Sequence, residues 1–503
     1  MKTKIFFISI ILLFSSIFAQ EISNDTSSTT TITILYTNDI HGHINPFRLS
    51  DFDILKGGFA SLATYIKKIR EEEKELIILD AGDVYQGGIE SAKSMGKEIM
   101  QIMNDIGYTA ITLGNHEFDY GIEHLKELKN LSKFHFLNCN ILNKNTGKLL
   151  DFVEPYIIVN IKGKKIGIIG LIMKNAKRII MPKYTKDIEI VDPAESVKKY
   201  IDILKQEKVD IIIVLSHQGF EEDTKLASIV PGINVIIGGH DNQNVEFQDP
   251  VNKTMIYQSY GFAACVGKLD IIFQNGEITY NNQIIDLDPS AYPPDTEILK
   301  IVNQYQKDLE YLDTIIGETE VAMDAPYGEV GSSLGNLITD AMRYKTGADI
   351  AFENSGGIRA NLKKGPIRIR DIYEISTFVN YLVTMEMTGE QILELLETSV
   401  MDGNYVLQVS GIEFSYSLSK PNGKRIINAT INGKPIDKKK KYKVVTEDYL
   451  ATGGDNLTVF QKGTNIVFTK ISVKDAEIEY IKKISPITHE RCPELFKPRI
   501  MLK

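Results

Sequence analysis

The sequence predicts an α/β fold, and three observations carry that prediction. Short apolar, β-branched runs alternate with segments of helical spacing in a β-α-β order. Five of these runs end at residues able to bind a metal or a proton. The clearest, Tyr108 to Leu113, stops at Gly114 and is followed by Asn115-His116-Glu117-Phe118-Asp119. Open α/β sheets place ligands beyond the carboxyl ends of their strands, so Asn115, His116 and Asp119 are expected at the mouth of a site. One Asn-His pair after a strand is an ordinary loop end; its recurrence in four more places makes it informative.

The 503 residues are 43% apolar and 24% charged, an ordinary globular composition with room for two or three domains. A net charge of −9 leaves no basic face to hold a nucleic-acid polymer. Lys2 and Lys4 precede an apolar run from Ile5 to Phe14 and a small-residue stretch ending at Ala19. Residues 1–19 therefore read as a signal peptide, and the mature chain is expected in a periplasm, secreted, or at a cell surface. No Cys follows the cut and the chain ends ELFKPRIMLK, so no lipid anchor is expected. No transmembrane span is expected either. Cys139, Cys265 and Cys492 are odd in number and widely spaced. Export permits a Cys139–Cys265 bond, but the spacing is neither a disulfide framework nor a zinc motif, and the three are read as structural.

Taken in order, residues 20–31 read as a polar linker. Ile32–Thr37 is a strand ending in Asn38-Asp39-Ile40-His41-Gly42-His43, and Gly57–Lys74 is helical. Leu76–Leu79 is a strand ending in Asp80-Ala81-Gly82-Asp83, with a helix near Lys93–Ile106 before the Tyr108–Leu113 strand. A helix at Ile122–Leu131 and a strand at Phe134–Cys139 follow. Tyr156–Asn160 and Lys165–Ile172 form a hairpin across Lys-Gly-Lys, and Pro193 opens a helix to Glu207. Val209–Leu215 runs into Ser216-His217, and Ile233–Ile237 into Gly238-Gly239-His240-Asp241-Asn242. Met255–Tyr260 and Leu269–Leu287 read as an antiparallel edge. These elements make one domain over 32–292. Pro293-Pro294 marks a boundary, and Asp295–Ile316 is expected to be one helix joining it, over 293–316, to a second domain at 317–503. That domain has a helix near Gln391–Thr398 and strands in Tyr405–Lys443.

The chain has eight His, and five of them, His41, His43, His116, His217 and His240, directly follow strand-like runs. With Asp39, Asp83 and Asn115 in equivalent places, they describe a convergent set of nitrogen and oxygen donors. Such mixed donors suit zinc, manganese, cobalt or ferrous iron in a two-metal arrangement rather than a calcium cage. Paired divalent cations lower the pKa of bound water from 15.7 to about 7 and neutralise charge on a displaced oxygen, which suits phosphoester hydrolysis.

Asp39-x-His41, Gly82-Asp83, Gly114-Asn115-His116-Glu117, Ser216-His217 and Gly239-His240-x-Asn242 resemble the five-part signature of the calcineurin-like metallophosphoesterases. With NSGGIR and ATGGD toward the C-terminus, the order resembles the 5′-nucleotidase family over residues 31–480. The resemblance implies a four-layer α/β/β/α sandwich followed by an α+β substrate-binding domain. It implies two divalent ions, zinc foremost, with manganese or cobalt as alternatives. Asp39 and His41 would hold the first, Asp83 would bridge, and Asn115, His217 and His240 would hold the second. Asn242 stands where the general pattern has His and matches the nucleotidase branch; it would coordinate the first metal or hydrogen-bond one of its ligands. His116 resembles the family's transition-state histidine, with Asp119 orienting and charging it. His43 is assigned a structural or supporting role.

In the second domain Arg359 resembles the substrate-clamping arginine, Tyr449 one aromatic of a base-stacking clamp, and Asp455 the ribose-binding acid. Asn354 and Gly357 belong to the same NSGGIR motif. The second aromatic is sought near Val406 and Val409, with Tyr405 and Phe414 close by. The implied activity is phosphate removal from nucleoside 5′-monophosphates, with UDP-sugars, nucleoside di- and triphosphates and 2′,3′-cyclic nucleotides as further candidates, by a monomer or homodimer. The alternatives are hydrolysis of another exported phospho- or sulfur-ester, and a catalytically silent surface binder of the same fold.

Overall fold

The computed structural model describes residues 29–48, 55–307, 309–325, 330–401 and 406–503. The signal peptide, most of the polar linker and Tyr405 lie outside these residues. Thr30 and Thr31, assigned to the linker, are already part of the first strand, Thr30–Thr37.

Two six-stranded sheets form the first lobe. One runs, in spatial order, Glu277–Asp286, Cys265–Gln274, Thr30–Thr37, Ile77–Asp80, Ala110–Thr112 and His135–Leu137. The other runs Val245–Gln248, Met255–Gln258, Val235–Ile237, Ile211–His217, Lys164–Ile172 and Tyr156–Ile161. The strands at the centre of each sheet are parallel and apolar on both faces, as buried parallel strands must be. Ile32, Ile34, Ile77 and Leu79 of the first sheet pack against Ile166, Ile213 and Ile237 of the second. Helices Phe59–Glu72 and Lys97–Ile106 cover the outer face of the first sheet. Pro193–Gln206 and Phe220–Ile229 cover the second, giving the expected four layers. Asp192 starts the helix Pro193–Gln206 by accepting from Ala194 N and Glu195 N, with proline in its first turn.

The second lobe is a five-stranded sheet in the order Leu407–Ser410, Ile350–Asn354, Lys441–Glu447, Tyr381–Thr388, Thr464–Ser472. Helices Ser333–Thr346 and Val473–Ile484 pack on one face, and Gly389–Ser399 packs on the other.

Three expectations are corrected. The helix near Lys93–Ile106 is two, Ile89–Ser94 and Lys97–Ile106, because Met95 (φ 53°) and Gly96 (φ 88°) are both left-handed. Asp295–Ile316 is not one helix. Thr296–Lys307 is helical and Glu310–Asp313 is a 3-10 turn. The β-branched Thr314-Ile315-Ile316 feeds a strand, Ile315–Thr319, paired with Gly365–Arg368. Met255–Gln258 is no antiparallel edge: it pairs parallel with Val235–Ile237 and antiparallel with Val245–Gln248. Cys139, Cys265 and Cys492 are all free thiols.

Candidate metal centre and adjoining pocket

All seven residues expected as ligands leave the carboxyl ends of strands on one rim. Asp39 and His41 follow Thr30–Thr37, Asp83 follows Ile77–Asp80, and Asn115 follows Ala110–Thr112. His217 closes Ile211–His217, and His240 and Asn242 follow Val235–Ile237. Five of the seven hold positive φ: Asp39 at 48°, His41 at 49°, Asp83 at 57°, His240 at 91° and Asn242 at 50°. Left-handed backbone costs about 1–2 kcal/mol at a non-glycine residue, and such strain gathers at functional sites. Gly114 and Gly261 permit close approaches: a Cβ would lie 2.2 Å from Asp83 Oδ1 at the first and 2.2 Å from Asn242 Oδ1 at the second.

Asp83 belongs to two clusters. His41, Asp83 and His116 offer ligand atoms within 4.8 Å of one another, and so do Asp83, His217 and His240. The Nδ1 atoms of His41 and His217 lie 2.8 and 2.7 Å from the carbonyl oxygens of Gln86 and Ala81. A carbonyl only accepts, so Nδ1 carries the proton and, in the neutral ring, Nε2 presents its lone pair to the cluster. Asp39 Oδ2 accepts from Asn38 Nδ2 and His240 N, which leaves Oδ1, 3.8 Å from His41 Nε2.

Asp39 Oδ1, Asn115 Oδ1, His217 Nε2 and Asn242 Oδ1 are buried without a hydrogen-bond partner. Each such atom costs about 1–3 kcal/mol unless something satisfies it. All four belong to residues expected as ligands. Carboxylate, imidazole and amide oxygen together form a donor set that fits divalent ions. Burial works to raise the Asp83 carboxyl, but His217, His116 and His41 overcome it and hold Asp83 well below the usual range. Burial works to lower His217, and Asp83 and Asp39 reverse that, raising it to about 10. Burial alone dominates His41 and takes it down to about 3.

His116 Nδ1 lies 2.7 Å from Asp119 Oδ2, and the His116 backbone N–H donates to Asp83 Oδ1 at 2.8 Å. Burial opposes charging the ring, yet Asp119 and Asp83 raise it to about 9. His43 packs edge-on against Phe262, whose ring also packs against His41.

A cavity of about 740 Å³ opens on this cluster and runs between the lobes. His41, Asp83, Asn115, His116, Asp119, His240 and Asn242 line it from the first lobe, and Asn354, Arg359, Tyr449 and Asp455 from the second. Asp455 is held by Tyr449 Oη–H at 2.6 Å and Asn354 Nδ2 at 3.0 Å. Gly356, not Gly357, forms the wall. Gly357 is buried, and a Cβ there would lie 2.6 Å from Asn354 Oδ1 and 2.8 Å from Glu353 Oε1.

Residues 32–244 match the family model described as calcineurin-like phosphoesterase, and residues 315–462 match that of the 5′-nucleotidase C-terminal domain. The snake venom 5′-nucleotidase of Naja atra is 30% identical, with 84% of this chain and 90% of that protein covered. The chain belongs to the 5′-nucleotidase family. A 5′-nucleotidase precursor from Thermus thermophilus superposes with a TM-score of 0.84 at 31% identity, over 94% of this chain and 99% of that one. The trifunctional nucleotide phosphoesterase YfkN of Bacillus subtilis is 29% identical over 93% of this chain, but the chain spans only 35% of YfkN.

This member of the 5′-nucleotidase family also uses residues that its sequence did not disclose. Val406, Val409 and Phe414, where a second aromatic was sought, are all buried in the core of the second lobe. Phe378 lines the cavity instead, its ring nearly parallel to that of His116 at 5.7 Å and 23°. An aromatic between a helix and a strand, in Ser376-Thr377-Phe378-Val379-Asn380, was the available signal. Glu117, read only as part of a motif, is fully buried and accepts from Asp83 N, Val84 N and Gly114 N. It ties the loop that carries Asp83 to the loop that carries Asn115 and His116.

Proposed function

We propose that the protein is an exported phosphohydrolase that uses two divalent ions, zinc foremost, to remove phosphate from nucleoside 5′-monophosphates. The observation that carries this reading is the single cavity joining the Asp83-centred cluster to Tyr449, Phe378 and Asp455. A phosphate at the first end and a nucleoside at the second would be held together. The relatives' names, 5′-nucleotidase among them, support the same reading. The Escherichia coli relative UshA and the trifunctional YfkN extend the substrate panel to test.

Asp39, His41 and Asn242 would hold the first ion, Asn115, His217 and His240 the second, and Asp83 both. When bound, the ions supply an activated water and neutralise charge on the phosphate oxygens. Asp119 keeps the His116 imidazolium charged and aimed at the phosphate, where it stabilises charge that develops as the ester breaks. Arg359, close enough to oppose protonation of His41 and His116, presents a planar fork of donors to the same phosphate. Tyr449 and Phe378 offer faces to the base, each worth about 1–3 kcal/mol by stacking. Asp455 accepts from ribose hydroxyls.

The test is phosphate release from AMP, UDP-glucose and ATP by protein loaded with zinc, manganese or cobalt. Turnover of AMP is expected. Absence of phosphate release from the whole panel would overturn the proposal. Tyr449→Ala should raise KM for AMP about tenfold while leaving metal content unchanged, since one stacking contact is worth about 1–3 kcal/mol.

A further inference from the structure

The Ser376–Asn380 turn carries Phe378 to His116, and the first turn of the helix Val473–Ile484 holds it from behind. Val473 N donates to Asn380 O at 3.0 Å. Lys474 Nζ donates to Phe378 O at 2.5 Å and lies 3.5 Å from Thr377 O. Glu477 Oε1 accepts from Ser376 Oγ at 2.7 Å. On its other side the turn meets the first lobe, where Thr377 O lies 3.5 Å from Gln86 Nε2. Gln86 O in turn fixes His41 through Nδ1.

Lys474 is the unusual member of this set. It is 6% exposed, and its ammonium spends its donors on main-chain carbonyls while lying 5.0 Å from the Tyr373 ring centroid. Burying an ammonium is expensive even with the Glu477 and Asp475 carboxyls near it, and a methionine would fill the same space without a charge. What the ammonium adds is a charge-assisted grip on the carbonyls at 377 and 378, the residues that present the Phe378 ring.

We infer that Lys474 is a positioning residue, whose buried ammonium sets the Ser376–Asn380 turn so that the Phe378 ring lines the cavity where a base would stack. The effect on nucleotides rests on the function proposed above; the effect on the turn does not.

The chain contains no Trp, so Phe378→Trp provides a single fluorescent reporter. With Lys474 present, its emission should be blue-shifted and resist iodide quenching. Adding Lys474→Met should move emission to the red and raise the quenching constant about threefold, while Lys474→Arg should restore most of the shielding. On the otherwise natural chain, Lys474→Met should raise KM for AMP about tenfold, with turnover of ribose 5-phosphate, which carries no ring to stack, unchanged. Should Lys474→Met not fold, Ser376→Ala, which keeps the ammonium and removes the turn's contact to the neighbouring Glu477, should shift the reporter the same way. Unchanged emission in Lys474→Met, or in Ser376→Ala where Lys474→Met does not fold, overturns the inference, as does parallel loss of activity on both substrates. A wild-type enzyme that ignores nucleotides would sink the proposed function, and the reporter would still decide the role of Lys474.

Discussion

His217 Nε2 and Asp83 Oδ2 face each other at 3.0 Å, both fully buried. That is the spacing of two donors turned toward a common ion. With no ion bound, His217 is raised to about 10 by Asp83 and Asp39 against its burial, so it holds a proton at neutral pH. Binding a cation must expel that proton. Loading the metal-free protein at pH 7 should therefore release about one proton through His217, and affinity should fall as pH drops. Calorimetry in two buffers of different ionisation enthalpy measures the release. Asp83→Asn, which removes the carboxylate common to both clusters, should lose most of the bound metal. Retention of a full metal complement by that variant would refute the shared role.

Asp119 supplies the next prediction. With its carboxylate 2.7 Å from Nδ1, His116 is raised to about 9, so the imidazolium persists through neutral pH and is lost as pH rises through that value. The alkaline limb of kcat/KM should fall there. Asp119→Asn should move the limb down toward the ordinary histidine value of about 6.5. His116→Ala should lower turnover on the order of 10²-fold with metal content retained, as loss of one transition-state donor does. An alkaline limb that stays in place in Asp119→Asn would count against this assignment.

Glu117 should matter as much as a ligand although its carboxylate is taken up by backbone. Glu117→Gln keeps the shape but turns an NH₂ group toward at least one of the three N–H donors. The loss should be on the order of 1–3 kcal/mol of stability. Because the Asp83 and Asn115 loops then separate, metal affinity should drop about 10- to 100-fold, as it does when an outer support of a metal site is removed. Urea unfolding and metal content after dialysis check the two effects. A variant that dialyses with wild-type metal content would show that the loops hold themselves.

Asp39, Asp83, Asn115, His217 and His240 were legible in the sequence because each sits beside the strand that delivers it, and parallel strands end on one rim. Phe378 was not, because it reaches His116 from the other lobe and no local pattern records that approach. Glu117 was visible as a residue but not as a support, since its partners are backbone N–H groups that every sequence has. The break at Met95-Gly96 and the early end of the helix at Lys307 were hidden for another reason. Helical spacing persists through both; left-handed backbone interrupts it in one case, and in the other the 3-10 turn Glu310–Asp313 leads into the paired strand Ile315–Thr319.

Glu353 and Glu447 sit three residues beyond the paired Ile350 and Val444 on neighbouring parallel strands, so their carboxyls share one face of the sheet. They are 4% and 1% exposed, and Glu353 Oε2 and both oxygens of Glu447 lack a partner. Burial comes first in raising both well above the usual range; Glu477 and Asp455 add to it at Glu353, and Glu353, Asp448 and Asp455 add to it at Glu447. For an acid raised on folding, the stabilising contribution is complete below about pH 4.5 and drains away as pH climbs toward the folded value. The second lobe should therefore weaken between pH 5 and pH 8. Glu447→Gln removes one of the two charges and gives Glu353 a donor, so it should stabilise the protein at pH 8 by about 1–3 kcal/mol. The same change should shrink the difference in Tm between pH 5 and pH 8. Thermal melts at the two pH values decide it: a Glu447→Gln variant that melts lower than wild type at both would mean that Glu447 is needed as a charge, not tolerated as one.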